Sequence, residues 1–386
     1  MAKNLRFDEI NRQNTLNLLS DLVNIPSYDN EQGIVDYISR RMDKLGIKYE
    51  ITEVIPDRAN LTAFIGSGDK SLIFNSHMDT VPPGKPEDWH YPALELTIEN
   101  KNIYGLGCCD AKGSLASMMM AFEALSNIQN KLNGRLILQA VCCEETKGRG
   151  TQKEVKRGIT ADAAIVGEPT DMIPMIGHKG GLGVEVKVSG KAAHASAPEE
   201  GINAIYRSVD LVNRLRNLAD EIMNRRDPLF GHASLAVTQI KAGQAPNVIP
   251  DECIINLDRR LLPGESVDTA FQEIINTLEA DKPTSGVSVN RTIGIEPCRI
   301  SSNEAIVKAV KQGMASITGS EPEISGFTAC CDMWSLVRGA DIPTVILGPG
   351  KTSMAHKPDE TIELDAVCQA AHVYREIALN WFGSQK

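Results

Sequence analysis

LIFNSHMDTV, residues 72–81, is the stretch from which the fold reads outward. A strand-length apolar run, 72–75, passes straight into His77 and Asp79. Alternate residues of a strand share a face, so both side chains emerge on the same side. Three further runs have the same character, at 61–65, 136–141 and 163–166, and each ends near polar residues. Between them lie helical patterns. Residues 9–24 and 31–47 space their apolar side chains for one helical face, and 113–125 does so just after a glycine turn. This alternation predicts an α/β fold with a mixed, largely parallel sheet flanked by helices, whose chemistry sits at the C-terminal ends of the strands.

The rhythm changes in the middle of the chain. GVEVKV at 183–188 alternates as a half-buried strand, 202–216 is helical, 234–240 and 253–258 are strands, 267–278 is a helix and 287–292 a strand. That β-α-β-β-α-β order is the ferredoxin-like α+β unit. The α/β pattern resumes at 304–316, 344–347 and 364–381. The chain therefore divides into a discontinuous catalytic domain, 1–180 with 294–386, and an inserted domain, 181–293. Gly180-Gly181 and the Pro297 region are the expected hinges.

The 386 residues, 42% hydrophobic and 23% charged, are ordinary for a globular protein. A net charge of −10 argues against nucleic acid or an anionic membrane as partner, since both need a basic surface. No run approaches the roughly 18 apolar residues of a membrane span, and MAKNLRFDEINRQN lacks an apolar signal core, so a cytoplasmic location is expected. Of nine cysteines, six form adjacent pairs at 108–109, 142–143 and 330–331. These suit packed free thiols better than a disulfide framework, and no Cys-X-X-Cys offers a thiolate zinc site.

Five segments carry the candidate chemistry. His77 offers a ring nitrogen to a metal with the Asp79 carboxylate behind it, or the pair caps a strand-end turn. In YGLGCCDAKGSLAS, 104–117, Asp110 either bridges two cations with its two oxygens or caps the following helix. The strand 136–141 ends at Glu144 and Glu145. One of these can bind metal while the other takes a proton from water, or both belong to a solvated acidic turn. Glu168 follows another apolar strand in AAIVGEPT, and His356 follows a strand and a glycine-rich turn in LGPGKTSMAHKPDETI. Together they assemble imidazole and carboxylate ligands suited to zinc, or to cobalt or manganese in its place. A shared Asp110, with His77 and Glu168 on one ion and Glu145 and His356 on the other, makes a two-metal site.

The spacings S-H-x-D-x-V, G-x-G-x-x-D-x-K-G, E-E-x-x-G, G-E-P-T and A-H-x-P-D-E resemble those of the M20 metallopeptidases, over nearly the whole chain and in the same order. The resemblance implies His77, Asp110, Glu145, Glu168 and His356 as metal ligands, Asp79 as the residue orienting the histidine, and Glu144 as general base. It also implies a cis peptide at Asp110–Ala111. One departure is Leu106-Gly107-Cys108-Cys109, where many members carry an arginine after the first glycine; it touches no ligand.

In the inserted domain, the resemblance implies that His194 of GKAAHASAP crosses to a partner subunit and helps hold the oxyanion. Asn247 of APNVIP and Arg260 of LDRRLLPGE match residues gripping a substrate carboxylate, for which a guanidinium fork is suited. Gly326, Thr328 and Gly348 match loops lining the pocket. A homodimer through the inserted domain is implied too, with a small-molecule N-acyl amino acid as substrate and amide hydrolysis as the reaction. The ending LGPGKTSMAHKPDE is more similar to acetylornithine deacetylases than to succinyl-diaminopimelate desuccinylases, with aminoacylase, dipeptidase or carboxypeptidase activity as further alternatives. A catalytically dead binding relative would be expected to have lost a ligand or Glu144, and neither is lost. His90, His232 and His372 read as structural or surface residues, and Met118–Met120 as helix core.

Overall fold

The computed structural model describes residues 9–279 and 286–383. Residues 1–8 of the polar N-terminal stretch and 280–285 of the expected insert lie outside it. The chain divides into two compact units: one of Met1–Gly177, Ile300–Ser325 and Cys331–Lys386, the other of His178–Arg299 with Gly326–Cys330. The inserted unit is thus a few residues longer at each end than 181–293, and it takes in the short segment that holds Gly326 and Thr328.

The first unit is built on a mixed sheet. The runs at 61–65 and 72–75 are not separate strands but two arms of one ribbon, Arg58–His77. Both arms lie against Asn133–Val141. Partners fall from Ala140 at Leu61 to Leu136 at Ile65, then rise from Leu136 at Leu72 to Val141 at His77. The outer arm therefore runs against the central strand and the inner arm with it. Beyond the inner arm lie Ala164–Val166 and then Thr344–Ile346, each parallel to its neighbour. Four adjacent strand segments consequently end on the same edge. Their next residues are the loops bearing Asp79, Glu144 and Glu145, Glu168, and Gly348.

Helix Lys112–Ser126 is buried along its whole length, as its run of Leu, Ala, Met and Phe requires. Met118–Met120 are core. Ser117 Oγ donates to the carbonyls of Gly113 and Val367, which satisfies a hydroxyl that would otherwise be buried alone. A small three-stranded sheet, Thr97–Glu99, Asn102–Tyr104 and Thr361–Glu363, was not apparent from periodicity because its strands are only three residues long.

In the second unit the strands stand in the order Ser234–Ala242, Glu252–Leu261, Gly180–Ser189, Val287–Ile295, all antiparallel. Helices Ala204–Ile222 and Val267–Glu279 supply the other layer. Val184, Val186 and Val188 alternate into a core with Leu211, Leu215, Ile255, Ile274 and Leu278. The β-α-β-β-α-β pattern yields this arrangement because every strand hides one face and every helix one stripe.

His178, at the start of this unit, is fully buried, with Nδ1 2.7 Å from the Lys179 carbonyl and no partner at Nε2 among the described residues. Burial pulls its pKa down to about 4. The imidazole is therefore neutral in the folded chain, whereas an unfolded histidine titrates near 6.5. Its stabilising effect is complete above pH 6.5 and is lost as pH falls toward 4. Between pH 7 and pH 5, His178→Gln is expected to lose about 2 kcal/mol less unfolding free energy than the parent. Urea unfolding at the two pH values checks this, and equal losses would refute it. Among the described residues, no helix is long and apolar enough to cross a membrane.

Candidate active site

The strand edge of the first unit gathers His77, Asp79, Asp110, Glu144, Glu145, Glu168 and His356. Asp110 is the pivot. Its Oδ1 lies 3.1 Å from His77 Nε2, and its Oδ2 lies 3.3 Å from His356 Nε2. His356 Nε2 is also 3.0 Å from Glu145 Oε1. One donor atom each from His77, Asp110 and Glu168 lies within 4.8 Å of the others, and the same holds for Asp110, Glu145 and His356. The Asp110–Ala111 peptide is cis.

These groups fit a pair of divalent ions. Nitrogen and oxygen ligands about 2.0–2.2 Å from zinc stand roughly 3–4 Å from one another, close to the spacings seen here. The electrostatics agree. Burial, then the Glu168 charge, pushes the Glu144 carboxyl well above its usual range, and burial does the same to Glu168. Burial pulls His77 down, but the Asp110 hydrogen bond and the Glu168 and Glu144 charges outweigh it and leave the imidazole well above its ordinary value. Hydrogen bonds to Asp110 and Glu145 push His356 up to about 10. Burial also acts to raise Asp110, yet its two histidine partners hold it below the usual carboxylate range. A buried cluster with this much negative charge is stabilised by cations.

Asp79 differs from expectation. Its main-chain carbonyl, 2.9 Å from His77 Nδ1, orients the imidazole, while its carboxylate is 3.8 Å from that nitrogen. The carboxylate instead accepts the main-chain N–H groups of Glu144 and Glu145, at 3.1 Å each. It therefore shapes the turn presenting Glu144 and Glu145. Behind it, Arg58 lies 3.6 Å from Asp79 and pairs with the buried Glu31. Neither Arg58 nor Glu31 falls in a motif, and no local pattern marked them.

Gly348, expected to line the pocket, sits where a side chain has no room. It is buried, and a Cβ there would stand 2.3 Å from Ser114 Oγ and 2.4 Å from the Glu168 carbonyl. Its N–H donates to Thr170 Oγ1 and its carbonyl accepts the Thr170 and Met172 N–H groups. Its absent side chain lets this loop close behind Glu168. Asp332 was also missed. It is buried, accepts the Thr151 hydroxyl at 2.7 Å, and is pushed up to about 6 by burial. None of the adjacent cysteines at 108–109, 142–143 and 330–331 is in a disulfide, and five of the six are buried.

The remaining expected residues belong to the second unit. His194 is exposed, with Nδ1 2.7 Å from Ser196 Oγ, on a two-residue strand whose partner is Val248–Ile249. Asn247, also exposed, accepts the Ala195 N–H through its carbonyl. Arg260 already holds a carboxylate: its Nε and Nη2 lie 2.8 and 3.1 Å from the two oxygens of Asp258, and Nη1 is 3.7 Å from Cys330 Sγ. A ligand carboxylate must compete with Asp258. Gly326 packs on the Phe230 ring, and Thr328 is exposed.

The model of Peptidase family M20/M25/M40 matches residues 73–380. An acetylornithine deacetylase of Aliivibrio salmonicida (strain LFI1238) is 33% identical over 336 residues, 85% of each chain. A probable succinyl-diaminopimelate desuccinylase of Staphylococcus aureus (strain MRSA252) is 27% identical over 399 residues, 95% of this chain and 97% of the relative. An M20 family metallo-carboxypeptidase from Sulfolobus solfataricus has the same fold, with a TM-score of 0.80 at 20% identity over 95% of this chain and 99% of its own. A tripeptidase from Staphylococcus aureus superposes equally well, with a TM-score of 0.80 at 24% identity over 97% and 99%. The motifs, the strand-edge cluster and the family match agree, and the chain belongs to peptidase family M20/M25/M40, hydrolases of amide bonds.

Proposed function

We propose that this chain hydrolyses the amide bond of an N-acyl amino acid, with an N-acetylated basic amino acid such as N-acetylornithine as the preferred substrate. The observation that carries the reaction is Asp110 with one oxygen facing each of two imidazoles, a carboxylate placed to serve two divalent ions at once. His77 and Glu168 complete one ligand set, and Glu145 and His356 the other. Bound there, zinc, or cobalt or manganese in its place, supplies Lewis acidity toward the acyl carbonyl and an attacking water.

The protein's own groups do the rest. Glu144, adjacent to a ligand but outside both sets, accepts the proton of the attacking water and returns it to the leaving amine. Asp79 holds the turn that aims Glu144. In the second unit, Arg260 and Asn247 are assigned to the substrate carboxylate, and His194 to the oxyanion formed at the site of a second copy. That unit carries exposed Ile205, Tyr206 and Val209 on one helix and exposed Ile240 on the edge strand Ser234–Ala242. Apolar surface beside a strand edge that pairs with no other strand among the described residues suits docking of an identical chain.

The acetyl preference follows the higher identity to the acetylornithine deacetylase. A second reading, desuccinylation of N-succinyl-diaminopimelate, is favoured by the longer span of similarity to the desuccinylase. Turnover of N-acetylornithine, N-succinyl-diaminopimelate and a dipeptide panel, with added zinc, cobalt or manganese, separates them. Fastest kcat/KM on N-acetylornithine is expected. No hydrolysis of any acyl amino acid or dipeptide, with metal present, would overturn the reaction class.

A further inference from the structure

We infer that Glu360 is a positioning residue that holds Asp110 in the geometry able to serve both ions, an inference that rests on the two-ion reading of the site. Glu360 is buried at 1% exposure. Its Oε1 accepts the main-chain N–H groups of Cys109 and Asp110, each at 2.8 Å, and its Oε2 accepts that of Gly107, also at 2.8 Å. Its main-chain carbonyl takes the Gly105 N–H at 3.2 Å and the Cys108 thiol at 3.4 Å. One carboxylate and its own carbonyl thus dictate the path of residues 105–110, the segment that ends in the bridging group.

Main-chain N–H groups converging on a carboxylate form charge-assisted hydrogen bonds, stronger and more directional than neutral ones. Glu360 is also only four residues beyond His356. The segment that presents one imidazole to Asp110 Oδ2 therefore also sets where Asp110 stands. Its neighbour Asp359 makes a separate clasp, accepting the N–H groups of His90 and Tyr91 at 2.9 and 3.2 Å. Two adjacent carboxylates on one loop thus hold two different segments, and only the Glu360 segment leads to a ligand.

That difference provides the test. Zinc affinity is measured on the metal-stripped full chain by competition with a chromophoric chelator. Glu360→Gln keeps the size but loses the charge and one acceptor, and is expected to weaken zinc binding about 10- to 100-fold, the usual effect of removing a group that orients a metal ligand. Asp359→Asn loosens the same loop without touching residues 105–110, and is expected to stay within about threefold of the parent. If Glu360→Gln also stays within that range, or if both variants lose affinity equally, the inference is overturned. Should Glu360→Gln fail to fold, Glu360→Asp, which keeps the charge but shortens the reach, takes its place under the same criterion. Asp110→Ala is the control for the underlying reading: unchanged zinc affinity there would remove Asp110 as a ligand and the inference with it, whereas a loss there beside an unaffected Glu360→Gln would refute the inference alone.

Discussion

Glu144→Gln is expected to lower kcat roughly a thousandfold while the chain still binds its metal. The substitution preserves size and leaves the five proposed ligand side chains in place, but removes the group proposed to carry the proton from water to the leaving amine. Positioned acid–base groups typically contribute about 10²–10⁴ in rate, or some 3–5 kcal/mol of barrier. The main-chain N–H of residue 144 still donates to Asp79, so the turn is retained. Steady-state kinetics on the best substrate, together with metal content by elemental analysis, checks both halves. Near-normal kcat would remove Glu144 from its role. Normal kcat loss with lost metal would instead place it among the ligands.

The second large effect concerns Asp110 and His356. Because each oxygen of Asp110 faces a different imidazole, Asp110→Ala is expected to lower metal content at both positions and abolish turnover. His356→Ala is expected to cost only one equivalent, leaving the ion at His77 and Glu168. The two positions also differ in shelter: the His77 side chain is 1% exposed, that of His356 52%. A chelator should therefore strip the ion at His356 first, since departure from that side requires less of the protein to open. Metal content against chelator time should fall in two phases in the parent and in one slow phase in His356→Ala. Unchanged stoichiometry in His356→Ala would strike it from the ligands.

Arg260 marks where chemistry read from a motif meets its neighbours. A guanidinium in LDRRLLPGE matches a carboxylate grip, but Asp258, two residues before it, shares its strand face and already occupies the fork. The period of two that puts both side chains on one face was legible; the choice of partner was not. Asp79 shows the same division. Strand alternation placed it beside His77, yet its carboxylate found stronger company in two N–H donors from the turn after a strand, more than sixty residues away in sequence.

Local spacing determined most of the secondary structure and the identity of the groups at the strand ends. Apolar runs of strand length, amphipathic helical stretches and the β-α-β-β-α-β rhythm each encode how one element hides one face, and that information lies within a dozen residues. The seven residues gathered at the strand edge were legible for a related reason, since each sits just past an apolar run or in a glycine-rich turn beside one. What lay beyond the sequence was which of these ends become neighbours. Only the tertiary structure made 58–77 a single ribbon around Asn133–Val141, set Asp110 between two imidazoles, used Gly348 to close behind Glu168, and brought Glu360 under the main chain of residues 107–110. Those contacts join segments up to some 250 residues apart. They are decided by sheet order, by close packing and by the need of buried N–H groups for acceptors, none of which leaves a periodic trace in the chain.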